Sequence, residues 1–243
     1  MTYCVGLKID RGLVFMSDTR TNAGIDSIST FRKMHVWEEP GGRVLVLMSA
    51  GNLATTQAVV SLLDERSKAV ADRSKTLLET ASMYQTAALV GSVVKEVIAN
   101  ASPTGQSADS YFNASFVLGG QIRGTEPRLF MIYPEGNFIE STDDTPFFQV
   151  GETKYGKPIL VRAYDKGMSF AETVKLLMVS FDSTLKSNLS VGLPLDLTFY
   201  EKDTFKVGLQ KRITQDDPYY RQISEGWSDA LKMAFKSLPD FVE

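Results

Sequence analysis

Thr2 is the residue best placed in this sequence for nucleophilic chemistry. It follows Met1, and methionine is usually trimmed when the second residue is as small as threonine, so the mature chain is expected to begin at Thr2. An N-terminal threonine carries two reactants at once. Its hydroxyl can attack a carbonyl, and its own α-amine, with an ordinary pKa of roughly 7.7–8.0, can accept a proton near neutrality. The Met-Thr dipeptide is common and means little alone. Its weight comes from the β-prone run over 2–9, which would hold the terminal residue in a strand rather than leave it frayed. Three further positions fall at expected element ends: Asp18 within Ser17-Asp18-Thr19-Arg20-Thr21, then Lys33, then the glycine of Ser49-Ala50-Gly51. Each alone has a duller reading, as a turn carboxylate, a solvated cation and a helix-entry glycine.

These residues need elements to position them. The runs 2–9 and 12–18 are joined by Asp10-Arg11-Gly12, a turn signal, and read as a hairpin. The runs 34–37 and 43–48 form a second pair across a turn segment at 38–42. At Gly51 the period changes, and Ala54, Ala58 and Leu62, flanked by Val59 and Leu63, recur at helical spacing. A second helix passes through Met83, Ala87, Val90, Val94 and Val97, with Pro103 and Gly105 closing it. Strands return at 111–118, where Phe112, Ala114, Phe116 and Leu118 alternate onto one face, and at 129–133 and 147–150. A helix at 158–164 precedes the capping box Ser169-Phe170-Ala171-Glu172, which opens a helix with Phe170, Val174, Leu177, Phe181 and Leu185 on one face. Strands at 193–200 and 210–213 lead to a last helix carrying Ile223, Trp227, Leu231 and Phe235. Two antiparallel sheets with helices outside both would satisfy this order, and a plain α+β domain would read similarly. No repeat or low-complexity linker interrupts the chain, so residues 1–243 are read as a single domain.

Composition narrows the function. The 243 residues are 43% hydrophobic and 23% charged, enough for a sizeable core. A net charge of −3 gives no overall positive field for nucleic acid or an anionic membrane. Apolar runs such as 44–48 and 176–179 are too short to span a bilayer, and MTYCVGLKIDRG does not read as a secretory signal. A cytoplasmic protein with no nucleic-acid and no membrane partner is expected. The single cysteine, Cys4, precludes an intramolecular disulfide, and with the single histidine, His35, it cannot make a Cys/His metal cage. No cofactor and no metal site are expected. His35 alternates with Met34 and Val36 and has no obvious Ser or Asp partner, which favours a core or pocket-wall place. Cys4 reads as a small buried thiol on the same strand face as Thr2. Tyr219, Tyr220 and Trp227 read as packing against a neighbouring element or subunit, and Met131, Met168, Met178 and Met233 as core.

The terminal threonine, the Asp18/Arg20 pair after the second strand, Lys33 past the next turn and the Ser/Ala-Gly before the first helix together resemble the proteasome β-subunits and their bacterial relatives, N-terminal-nucleophile hydrolases. Asp18 lies sixteen positions after Thr2, as in that family. Lys33 follows after fifteen, one fewer than in proteasomes proper, and Gly51 after a further eighteen, the extra length falling at 38–42. Among these relatives the chain is most similar to the bacterial Anbu (ancestral beta subunit) family, in TYCVGLKIDRGLVFMSDTRTNAG and in the later SAGNLA and QVGETKYGKP. The resemblance extends over essentially the whole chain. It implies an α+β fold, the four-layer αββα sandwich of two antiparallel sheets flanked by helices. It also implies a self-compartmentalising threonine peptidase, a homo-oligomer closing as a ring or running on as a spiral, with a peptide or protein substrate. Thr2 Oγ would be the nucleophile and its amine the base. Lys33 would favour the deprotonated nucleophile, Asp18 would orient Lys33, and the Gly51 N–H would donate to the oxyanion. Two positions depart from the family pattern. Glu152, after Gly151, stands where the family has a serine, and the family's Asp-x-x-Ser-Gly reads here as Ser187-Asn188-Leu189-Ser190-Val191-Gly192, keeping Ser190 with Ser187 in place of the aspartate. The altered Glu152 and Ser187 positions keep open an amidohydrolase acting on a small amide, and the third alternative is a scaffold that assembles without cleaving.

Overall fold

A computed structural model describes residues 2–22, 28–68, 76–101 and 112–242. Met1, the expected helix stop at Pro103 and Gly105, and Tyr111 lie outside the described residues. In chain order the elements are β1 (Tyr3–Ile9), β2 (Gly12–Asp18), β3 (Arg20–Asn22), β4 (Ile28–Thr30), β5 (Met34–Glu39), β6 (Arg43–Gly51), α1 (Leu53–Ser67) and α2 (Met83–Ala101). There follow β7 (Ala114–Ile122), β8 (Arg128–Ile132), β9 (Phe138–Glu140), β10 (Phe147–Gly151), α3 (Lys157–Ala163), α4 (Phe170–Ser187), β11 (Leu195–Glu201), β12 (Val207–Ile213) and α5 (Pro218–Lys236).

Two five-stranded antiparallel sheets carry the fold, ordered β10-β1-β2-β11-β12 and β5-β6-β7-β8-β9. Strand alternation sorts their residues into three cores. In the first sheet Tyr3, Val5, Leu7, Val14 and Met16 face outward against Leu160, Leu177 and Phe181 of α3 and α4. In the second, Leu45, Leu47, Phe116 and Leu118 face outward against Val59, Leu63, Val90 and Val94 of α1 and α2. The intervening residues Cys4, Leu13, Phe15, Val44, Val46, Met48 and Val117 meet between the sheets. Helix, sheet, sheet and helix therefore stack as the expected αββα sandwich.

The capping box at Ser169 and Glu172 forms as read, and Asn52 caps α1 by accepting from the Thr55 N–H. Strands β3, β4 and β9 were not expected. At three residues each they are too short to show alternation. β6 runs to Gly51 rather than 48, because β7 pairs with it as far as Ala114. Tyr220 is 8% exposed and packs within its own chain against the α4 side, so of the two readings it meets a neighbouring element and not a subunit, while Met233, 66% exposed, is not core. Among the described residues no helix is long and apolar enough to cross a membrane.

Candidate active site

Thr2 sits immediately before β1, where the ends of β1, β6 and β10 open on a cleft of about 890 Å³. Its walls include Thr2, Arg20, Lys33, His35, Ser49, Gly51 and Gly151. Thr2 is pinned from below, since its carbonyl accepts the Glu152 N–H at 2.6 Å. This approach requires a glycine at 151, which has φ +84° and where a Cβ would stand 2.1 Å from the Thr2 oxygen.

Behind the cleft lies a buried ion pair. Lys33 Nζ donates to Asp18 Oδ1 at 2.7 Å and to the Arg20 carbonyl at 2.6 Å, with Lys33 5% and Asp18 0% exposed. Asp18 Oδ1 also accepts the Tyr3 N–H at 2.9 Å, and Oδ2 accepts the Gly192 N–H at 3.3 Å. Burial pushes the Asp18 carboxyl above its ordinary value, against the pull of the Lys33 ammonium and the two amides. A lone carboxylate would not remain charged in such a place, and the ammonium is what makes the charged form tenable. Because Tyr3 follows Thr2 directly, one carboxylate fixes both the lysine and the strand that carries the threonine.

Gly51 ends β6. Ser49 N–H donates to the Lys33 carbonyl at 3.0 Å and Asn52 N–H to the Asn113 carbonyl at 2.9 Å. Amides alternate sides along an antiparallel strand, so the Gly51 N–H turns to the β5 side, as that of Ser49 does. β5 begins only at Met34, opposite Met48, which leaves this side of Gly51 facing the cleft. Gly51 has φ +120°, and a Cβ there would lie 2.3 Å from the Asn113 oxygen. An N–H aimed into a cleft beside a hydroxyl and a buried ammonium can stabilise an oxyanion. His35 is a half-buried wall residue whose imidazole is pushed down by burial. Cys4 is fully buried between the sheets, with its thiol 3.6 Å from the Ser49 carbonyl oxygen.

The two departures are resolved differently from their sequence alignment. Ser187 is exposed and turns back on α4, its Oγ donating to the Ser183 carbonyl at 2.9 Å, so it does not take the place of an aspartate. The next residue turns inward instead. Asn188, 7% exposed, donates from Nδ2 to Glu152 Oε2 at 3.0 Å and accepts the Ser190 N–H on Oδ1 at 3.0 Å. Glu152 is 4% exposed. Burial pushes its carboxyl up, but the N–H donors of Lys154, Asn188, Tyr155 and Thr153 outweigh it and hold the group below its ordinary value. Ser190 is not part of the cleft wall with Thr2, Lys33 and Gly51, and it connects to them through Asn188 and Glu152. Asn188 and the Arg20 carbonyl were missed in the sequence. A helix-ending asparagine is the only signal the first could give, and a backbone acceptor gives none. Among the described residues no group of three or more His, Cys, Asp or Glu stands where it could hold a metal.

Two antiparallel sheets between helices, with a threonine before β1 and a lysine lining one cleft at the sheet ends, define a proteasome-type sandwich, and residues 2–193 match the proteasome subunit family. Anbu from Hyphomicrobium sp. strain MC1 superposes with a TM-score of 0.90 at 54% identity, over 99% of this chain and 100% of that one. Anbu (ancestral beta-subunit) from Yersinia bercovieri gives 0.92 at 49% identity, over 99% and 100%. The Anbu complex from Pseudomonas aeruginosa, described as a helical assembly, gives 0.92 at 46% identity, over 99% and 98%. The chain belongs to the proteasome subunit family, within its Anbu branch. Curated proteins gave no match.

Proposed function

We propose that residues 1–243 act as one proteasome-type domain, a self-compartmentalising threonine peptidase whose residue one, after loss of Met1, is Thr2. Thr2 Oγ adds to the substrate carbonyl while its α-amine, directly or through a water, takes the hydroxyl proton. The tetrahedral oxyanion is received by the Gly51 N–H, and collapse expels the amine half of the substrate with that proton, leaving an ester on Thr2. Water, deprotonated by the same amine, hydrolyses the ester. Lys33 places a positive charge beside these steps and keeps the terminal amine in its free-base form. The observation that carries this reading is the buried Lys33 ammonium, held by Asp18 and the Arg20 carbonyl in the wall of the cleft that Thr2 and Gly51 line. The departure of Ser187 and Glu152 from the family pattern does not remove any of these groups.

The site is open on one chain, and we place its enclosure in the assembly of identical subunits. The end of α5 and the segment after it, where Leu231, Phe235, Leu238 and Phe241 are 50%, 77%, 64% and 89% exposed, suit a buried contact. The relative from Pseudomonas aeruginosa is a helical assembly. The deciding experiment exposes the purified protein to an electrophile that esterifies N-terminal threonine, followed by intact-mass and peptide analysis. Loss of one methionine and a single adduct on Thr2 are expected. Retained Met1 would remove the base, because an amide nitrogen accepts no proton, and would leave an assembly scaffold.

A further inference from the structure

Three stretches of chain distant in sequence are tied into a ring that passes through Thr2. The Thr2 carbonyl accepts the Glu152 N–H at 2.6 Å. Glu152 Oε2 accepts Asn188 Nδ2 at 3.0 Å, and Asn188 Oδ1 accepts the Ser190 N–H at 3.0 Å. Two residues on, the Gly192 N–H reaches Asp18 Oδ2 at 3.3 Å, and Asp18 Oδ1 holds both Lys33 and the N–H of Tyr3, the neighbour of Thr2. The path leaves Thr2 through β10 and returns to it through β2. The only side chain-to-side chain link besides the ion pair is Glu152–Asn188. Glu152 is 4% exposed and Asn188 7% exposed, so the bond is largely screened from solvent, and the other carboxylate oxygen, Oε1, accepts the Lys154 N–H at 2.7 Å.

We infer that Glu152 and Asn188 are positioning residues. Their bond ties the turn over 188–192 to the Thr2 end of β10, and through Gly192 it sets the orientation in which Asp18 presents Lys33 to Thr2. Neither residue touches the reacting atoms. The inference rests on the reading of Thr2 as the nucleophile, but the ring itself does not, and the two are measured separately.

Three full-length variants test it: Glu152→Gln, Asn188→Asp and the swap Glu152→Gln/Asn188→Asp. The first leaves one acceptor for two donors, so that an NH2 must face either Asn188 Nδ2 or the Lys154 N–H, the second sets two carboxylates together, and the swap restores one donor and one acceptor with the direction reversed. Amide exchange by mass spectrometry reads the ring without reference to activity. Faster exchange over 188–193 is expected in both single variants, by about tenfold, with β8 unchanged and protection regained in the swap. The rate of Thr2 esterification should fall by roughly ten- to a hundred-fold in the single variants, the scale of a small misplacement of reacting groups, and should recover in the swap. Unchanged exchange in the single variants overturns the ring. Loosened exchange with a wild-type labelling rate shows a clamp without a positioning role and overturns the inference. Loosened exchange in a protein whose wild type never labels leaves the ring standing and overturns the nucleophile instead.

Discussion

Lys33 would, if Thr2 is the nucleophile, be the residue that lowers the energy of the reacting group, and its environment explains how a buried cation is tolerated. A carboxylate at 2.7 Å and a carbonyl at 2.6 Å replace the water it has lost. Lys33→Ala should abolish most labelling of Thr2 by an electrophile, a loss of at least about a hundred-fold, with the circular dichroism spectrum retained. The spectrum survives because Asp18, left without its partner, can take up a proton in a site where burial already favours that form. Asp18→Asn should impair labelling as well, by releasing Lys33. A Lys33→Ala protein that labels at the wild-type rate would assign the activation to another group. Glu152 gives a prediction in pH. Its folded value lies below the unfolded one of about 4.3, so its contribution to stability is complete above that value and is lost as pH falls through the folded value. The melting temperature of the wild type should therefore drop more steeply below about pH 4.3 than that of Glu152→Gln, and parallel curves would show that Glu152 is not held charged.

At the scale of elements, the strand ends make the site. β1 begins just after Thr2, and β6 and β10 end at Gly51 and Gly151, where only an unsubstituted Cα allows the close approaches to the Asn113 and Thr2 oxygens. Gly151→Ala puts a Cβ against the Thr2 carbonyl in a left-handed conformation. Strain of this kind costs of order 1–3 kcal/mol, or about 2–12 °C in melting temperature for a chain of this size. Labelling of Thr2 should slow beyond what the stability loss explains, measured at a temperature where both proteins are folded. An unaffected rate in a destabilised Gly151→Ala protein would separate the β10 end from the chemistry.

For the whole molecule, the exposed apolar residues at the end of α5 and just after it are the feature a lone chain does not satisfy. Leu231, Phe235, Leu238 and Phe241 would each leave water in an interface, and a specific contact buries on the order of 1,200–2,000 Å². Light scattering should give a mass several times the chain's 26.9 kDa, reduced by Phe235→Asp. Phe235, 77% exposed, is a better probe than Trp227, which is half-buried against its own chain, so that a charge there would disturb folding and assembly together. A wild type that stays monomeric at high micromolar concentration would remove the compartment from the proposal.

Amino-acid pattern alone determined the order of strands and helices, the hairpin that carries Thr2, the cap of α4 and the order in which Thr2, Asp18, Lys33 and Gly51 occur, and left the layering open between a sandwich and a plain α+β domain. These are local: period two against period 3.6, a turn dipeptide, a serine three residues before a glutamate. Three-residue strands escaped because they contain less than two periods, and whether Tyr220 meets a neighbouring element or a subunit stayed open because sequence does not say what covers a helix's first turn. What only the tertiary structure decided is which partner each polar group finds. Ser187 and Asn188 are adjacent and equally polar, and a turn of α4 sends the first back to its own helix and the second inward to Glu152, more than thirty residues away in sequence. The Arg20 carbonyl and the Tyr3 and Gly192 amides that complete the Asp18–Lys33 site are backbone groups, present at almost every residue, and only the packing of two sheets selects the three that point at one buried charge pair.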